Sequence, residues 1–349
     1  MSALDALRRP RARPTLPENG GPGSRLLEVS GLTTRFDTPD GVVHAVNGVD
    51  FHVDRAEVVG VVGESGCGKS VTIRSILGLV RPPGRVVDGT VRFDGVDLLG
   101  LRRTELRRLR GKEIGFIAQN PFSALNPVMR IHRQFGTILA AHGAKSDGEV
   151  RDRARAALAD VGIAGPDRVL DGYAHQLSGG MAQRVVIAMA MLLNPAFVIA
   201  DEPTTGLDLT VQRQILDLIR GLVREHGRSM LLVTHDLGVV AQYCDRVVVM
   251  YAGKVIEHGT VREVLNTPRH PYTQALVRAI PRPGRPLVHL TGRLPDLVDY
   301  PTGCPFRARC PHAFEPCGHV VPEAVTVASG QTYWCHLPEE RPEEREAVR

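Results

Sequence analysis

The stretch EVVGVVGESGCGKSVTIRSILGLV, residues 57–80, decides how the rest of the chain is read. Residues 57–63 form a continuous apolar run ending in glycine, the pattern of a buried strand, and from Ser70 apolar residues recur at helical spacing. Between them lies GESGCGKS, Gly63 to Ser70, which fits G-x-x-x-x-G-K-[ST] where a strand gives way to a helix. The glycines let successive backbone N–H groups point inward at phosphate oxygens, and the following helix turns its positive N-terminal end to the same anion. Lys69 can reach the β- and γ-phosphates of a nucleoside triphosphate, and the Ser70 hydroxyl can coordinate Mg²⁺. Of the 43 basic residues four are lysine, at 69, 112, 145 and 254. A chain that otherwise uses arginine keeps lysine at 69, where a compact ammonium fits and a planar fork does not.

A triphosphate site also needs a carboxylate for the metal and a base for water. AFVIADEP, residues 196–203, is an apolar strand ending in Asp201 and Glu202. Asp201 at the strand end can hold Mg²⁺, and Glu202 beside it can polarise the attacking water. In QLSGGMAQRVVIAMA, residues 176–190, Ser178, Gly179 and Gly180 precede a strong helical pattern. That is a second helix N-terminus with exposed amides, hence a second anion site. One chain has little reason to aim two such sites at a single γ-phosphate from within itself.

At 349 residues and 38.0 kDa the chain suits one large domain or two ordinary ones, and 43% hydrophobic with 23% charged residues is a soluble globular composition. No apolar run approaches the roughly 18 residues of a spanning helix, so a membrane link is expected to run through a partner. The Pro-, Gly- and Arg-rich residues 1–24 read as a disordered tail without the apolar core of a secretory signal. A net charge of +5 is modest and reads as a solvated surface. Short alternating strands between Leu26 and Val53 predict an antiparallel sheet. Residues 128–193 are mostly helical in pattern, and RVVVMYAGKVIEHG, residues 246–259, predicts a hairpin across Ala-Gly. Strands alternating with helices imply a mostly parallel sheet covered on both faces. Residues 281–301 read as a linker.

The tail gathers four of the six cysteines: CPFRARCPHAFEPC, residues 304–317, and Cys335. Cys304, Cys310, Cys317 and Cys335 are spaced C-x5-C-x6-C-x17-C, which matches no C-x2-C zinc ribbon. Four thiolates can enclose zinc or bind a four-iron cluster. Unpaired thiols or two disulfides are the other readings.

LSGGM followed by AQR, then DEP and TTGLD, resembles the nucleotide-binding subunit of an ABC transporter, over residues 26–337. The resemblance implies an α/β P-loop NTPase of RecA-like type. Its parts would be a mostly parallel sheet, an N-terminal antiparallel β subdomain, a helical signature subdomain near 121–193 within an ATPase domain at 25–265, and an extension at 266–349. It places ATP on Gly63, Ser65, Gly66, Cys67, Gly68, Lys69, Ser70 and Val71, with Phe36 stacked on adenine. It assigns Mg²⁺ to Ser70, Gln119 and Asp201, and catalysis to Glu202, His235 and Lys69. Ser178, Gly179 and Gly180 would cap the ATP of a second ATPase subunit, with Leu207 and Asp208 between the two. Met181 and Ala182 depart from the usual glutamine and basic residue without removing a phosphate donor. The tail resembles that of peptide and nickel importers, which implies a [4Fe–4S] cluster on the four cysteines, zinc being the alternative. It also implies a paralogous ATPase partner, two membrane permeases, an extracytoplasmic binding protein and a place on the cytoplasmic face of the membrane. The expected function is ATP-driven uptake of dipeptides or oligopeptides, with nickel or another solute as the alternative cargo. A soluble ABC-type ATPase on DNA or ribosomes is the alternative class, but the chain lacks its long coiled coil or tandem unit, and no nucleic acid partner is expected.

Overall fold

A computed structural model describes residues 23–143, 146–280 and 290–338. The tail expected over 1–24 therefore falls, but for its last two residues, outside the described part, as do residues 281–289 of the expected linker.

β1 (Arg25–Thr38) and β2 (Gly41–Asp54) form a long antiparallel pair, and β4 (Gly84–Phe93) and β5 (Val96–Asp97) extend it in the order β2-β1-β4-β5. This is the expected antiparallel subdomain. The larger sheet is mixed. Its centre is parallel: β9 (Arg246–Tyr251), β3 (Val58–Val62), β8 (Ser229–Val233), β7 (Phe197–Asp201) and β6 (Ile114–Ile117) lie side by side in that order. Every residue of β3, β7 and β8 is buried, which explains their unbroken apolar runs, since a parallel strand covered on both faces has no polar side. β10 (Lys254–Thr260) turns back on β9 across Ala252 and Gly253, both at positive φ (46° and 77°), the mirror-image turn that matches strand twist.

Helices cover the sheet and build the lobe beside it. α1 (Lys69–Ile76) follows β3 and α2 (Arg103–Leu109) precedes β6. The helical lobe comprises α3 (Pro121–Ala124), α4 (Ile131–Ala141), α5 (Asp147–Asp160), α6 (Pro166–Asp171) and α7 (Gly179–Met191). α8 (Leu209–Arg224) buries Ile215, Leu216, Ile219 and Val223, one stripe at helical spacing, and α9 (Leu237–Tyr243) leads into β9.

The C-terminal region is hydrogen-bonded into the large sheet. After α10 (Val261–Asn266) and α11 (Pro271–Arg278), a short hairpin of β11 (Ala324–Thr326) and β12 (Thr332–Trp334) adds to the edge of β10. Glu257 of β10 fastens this joint. Fully buried, it accepts from the N–H groups of Arg269 (2.8 Å) and His270 (2.9 Å) and from Gln331 Nε2 (2.6 Å). Three donors around one buried carboxylate offset its desolvation. Tyr251, Tyr272 and Phe306 form an aromatic cluster beneath, with centroids 4.7 to 5.4 Å apart.

Candidate active site

The loop after β3 is shaped by two glycines that no other residue can replace without moving backbone. A Cβ on Gly63 would lie 2.2 Å from the Met250 carbonyl oxygen, and one on Gly68 2.4 Å from that of Ala45. Gly68 also sits at φ +104° and caps α1 without any side-chain bond, leaving the first amides of the helix to an anion. Cys67 is fully buried, and burial pushes its thiol up, so it packs as a small apolar group. Ser65 and Gly66 are exposed at the loop's tip.

Lys69 is buried, and its Nζ donates to the carbonyls of Gly63 (2.7 Å) and Glu64 (3.0 Å). Glu202 Oε1 stands 3.8 Å from the same ammonium. Ser70, the next residue, donates through its hydroxyl to Asp201 Oδ1 at 3.0 Å, joining the start of α1 to the end of β7. Burial pushes the Asp201 carboxyl above its ordinary range and the Ser70 bond opposes this, so a cation here would favour the ionised form. One hydroxyl and one carboxylate at a phosphate loop suit Mg²⁺, which completes its shell with water and phosphate oxygens.

Glu202 is where the site converges. Oε2 accepts from Gln119 Nε2 (3.1 Å) and Thr205 Oγ1 (3.1 Å), and His235 Nδ1 lies 3.4 Å from it. Its backbone is held at φ +43°, a conformation costly for a non-glycine residue, and its N–H donates to the Val233 carbonyl at the end of β8. Three parallel strand ends, β6, β7 and β8, thus bring Gln119, Glu202 and His235 to one point. A carboxylate so placed, beside a lysine and a metal-binding pair, can orient and polarise a water against a terminal phosphate.

Three expected features stand elsewhere. Phe36 lies near the end of β1 in the antiparallel sheet with its ring against Gly84, where a Cβ would meet Phe36 Cε1 at 2.4 Å. Ser178 caps α7 by accepting from the Met181 N–H (3.3 Å), and Gly179 and Gly180 open that helix against Leu207 and Val211. Asp208 caps α8, accepting from Thr210 and Val211. Among the described residues no hydrogen bond or ion pair joins Ser178, Gly179 or Gly180 to Lys69 or Glu202.

The tail differs from its expectation. No disulfide joins Cys304, Cys310, Cys317 or Cys335 among the described residues, and the Cys304 N–H donates to the Cys317 carbonyl at 3.0 Å. They lie within electrostatic reach of one another: burial pushes Cys335 up to about 11, and the other three reinforce it. Yet among the described residues no three His, Cys, Asp or Glu side chains are arranged to hold a metal ion. Burial likewise pushes the Cys304 thiol up, and with no such grouping the geometry does not support the expected [4Fe–4S] or zinc ligand set.

Residues the sequence reading passed over also meet the site. Thr205 shares the Glu202 oxygen, and Tyr272 Oη accepts from the Glu64 N–H at 3.0 Å. Arg309 NH1 donates to Glu64 Oε2, also at 3.0 Å.

Residues 46–205 match the ABC transporter family, and residues 256–317 match the family described as oligopeptide/dipeptide transporter, C-terminal region. The chain is 45% identical over 323 residues to the dipeptide transport ATP-binding protein DppD of Bacillus subtilis (strain 168), covering 91% of this chain and 96% of that one. The chain belongs to the ABC transporter ATP-binding subunits. This ABC subunit is also 43% identical over 322 residues to the oligopeptide transport ATP-binding protein OppD of Salmonella typhimurium (91% and 96% covered). Its fold is similar to that of the ATP-binding cassette MJ0796, solved as a dimer in a post-hydrolysis state bound to ADP and Pi. The TM-score is 0.61 at 29% identity, over 68% of this chain and 99% of that one. The ABC subunit is an ATPase, and among the described residues no helix is long and apolar enough to cross a membrane.

Proposed function

We propose that this ABC subunit hydrolyses ATP to drive uptake of dipeptides or oligopeptides through two membrane permeases, working beside a second ATPase subunit at the cytoplasmic membrane face. The meeting of Lys69, Gln119, Thr205 and His235 around Glu202, with Ser70 and Asp201 alongside, carries the catalytic half of this reading. The likeness to dipeptide and oligopeptide transport subunits supports the cargo.

In the proposed cycle the loop amides and Lys69 take the phosphates. Ser70, Asp201 and Gln119 would hold Mg²⁺, which would supply charge neutralisation at the transferring phosphoryl. Glu202 accepts the proton of the attacking water, His235 donates toward the γ-phosphate, and Gln119 links this pair to the helical lobe. Among the described residues Ser178, Gly179 and Gly180 make no hydrogen bond to Lys69 or Glu202, which supports a role on the ATP of the opposing subunit. Phe36 would present its ring to the adenine.

For the tail, four thiols outside any disulfide and within electrostatic reach of Cys335 support a metal only if the segment rearranges, since as it stands they form no ligating group among the described residues. A [4Fe–4S] cluster, or zinc in its place, would have to draw in and deprotonate Cys304, Cys310, Cys317 and Cys335, with a structural role. No step of hydrolysis is assigned to it.

The test is purification from membranes. Recovery with two permease subunits, and ATP turnover that rises with a peptide-loaded binding protein, is expected. Recovery free of membrane proteins, with salt-sensitive DNA binding, would replace this reading with a soluble ATPase.

A further inference from the structure

We propose that Arg309, in the cysteine segment, is a positioning residue for nucleotide binding: its ion pair with Glu64 holds the phosphate loop in shape and neutralises a carboxylate beside the triphosphate. The inference rests on reading Gly63–Ser70 as the phosphate loop.

Glu64 is held from three directions. Its carbonyl accepts from Lys69 Nζ (3.0 Å), its N–H donates to Tyr272 Oη (3.0 Å), and its Oε2 accepts from Arg309 NH1 (3.0 Å). Two of the three holds come from the C-terminal region. The other carboxylate oxygen, Oε1, is buried and has no hydrogen-bond partner among the described residues, so Arg309 is what compensates this charge. Arg309 is itself fixed. Its side chain is 6% exposed, its Nε donates to the Thr291 carbonyl (2.8 Å), and its guanidinium lies over the rings of Tyr251 (5.7 Å) and Phe306 (6.0 Å).

The chemistry makes the pair matter on binding. An ammonium that turns to phosphate oxygens loosens its hold on the Glu64 carbonyl, leaving Tyr272 and Arg309 to keep the loop open. A triphosphate arriving at the loop would also meet the Glu64 charge, and a partly buried carboxylate deprived of its guanidinium repels it. The segment from Leu294 to Tyr300 closes in on the same side. Leu294 Cδ1 lies 3.7 Å from where a Gly66 Cβ would be, and the Leu297 carbonyl accepts from the His44 N–H (2.8 Å).

The experiment measures KM for ATP and kcat of the permease-bound transporter. The variants of this subunit are Arg309→Met, Arg309→Lys, Glu64→Gln and the Arg309→Met/Glu64→Gln pair. Arg309→Met, which keeps the stem, is expected to raise KM about tenfold with kcat within about threefold, and Arg309→Lys to stay within about threefold of wild type. Adding Glu64→Gln to Arg309→Met is expected to bring KM most of the way back, because the uncompensated charge is gone. An unchanged KM in Arg309→Met, or a double variant no better than it, would overturn the clamp. Lys69→Ala separates the two readings. If it leaves ATP binding intact, the loop assignment fails; if it abolishes binding while Arg309→Met leaves KM alone, only the clamp fails.

Discussion

His270 offers a worked test of the joint that ties the C-terminal region to the phosphate loop. The residue is 1% exposed, packs its ring 5.7 Å from that of Phe306, and accepts from the Tyr272 N–H through Nδ1 at 3.0 Å. Burial lowers its pKa from 6.5 to about 3. Because the folded value lies below the unfolded one, the unfolded chain takes the proton first. Stability from this group is full above about 6.5 and drains away as pH falls toward about 3. Between about pH 7 and about pH 5 the linkage amounts to about 2 kcal/mol. The check is denaturant unfolding of the wild-type chain and of His270→Asn at both pH values. Asparagine keeps a side-chain acceptor for the Tyr272 N–H and cannot titrate. It loses ring packing at both pH values, an offset that cancels in the comparison. The variant is expected to lose about 2 kcal/mol less than wild type on acidification. Equal losses in the two proteins would refute the buried neutral imidazole. Tyr272 lies two residues on with its hydroxyl at Glu64, so nucleotide affinity of the wild type should weaken over the same range.

Other outcomes follow from the site. Lys69→Ala is expected to weaken ATP binding about a hundredfold or more, read by equilibrium titration with a fluorescent nucleotide. His235→Ala should bind ATP as wild type does but turn over about a hundredfold more slowly in the assembled transporter, because its side chain contacts Glu202 and not the loop. If the tail holds an iron cluster, protein purified without oxygen absorbs near about 400 nm and Cys304→Ser does not. Stoichiometric zinc without that absorbance would choose the alternative, and neither metal would leave the thiols as packing groups.

The strand, loop and helix around Lys69 were legible because one motif fixes all three, and the apolar run of β7 ends on Asp201 and Glu202 as buried parallel strands must. The hairpin across Ala252 and Gly253 was legible for the same local reason. What escaped is long-range or too short. Tyr272 and Arg309 lie 208 and 245 residues from Glu64, which occupies a motif position with no residue preference. β11 and β12 have three residues each, too few for periodicity to register, yet they extend the sheet of the ATPase core. Glu257, a charged residue within the hairpin pattern of residues 246–259, is fully buried, and nothing local in the sequence marks it. Spacing showed that the tail thiols were four; it could not show that burial pushes Cys304 and Cys335 up, or that among the described residues no three ligand side chains are arranged to hold a metal.

The most direct measurement is ATP turnover and ATP binding by Glu202→Gln in the permease-bound transporter. Glutamine keeps an oxygen for Gln119, Thr205 and His235 but cannot take a proton from water. ATP affinity close to wild type with turnover down about a hundredfold to a thousandfold is expected. Wild-type turnover would mean that the base lies elsewhere and that the convergence on Glu202 is structural.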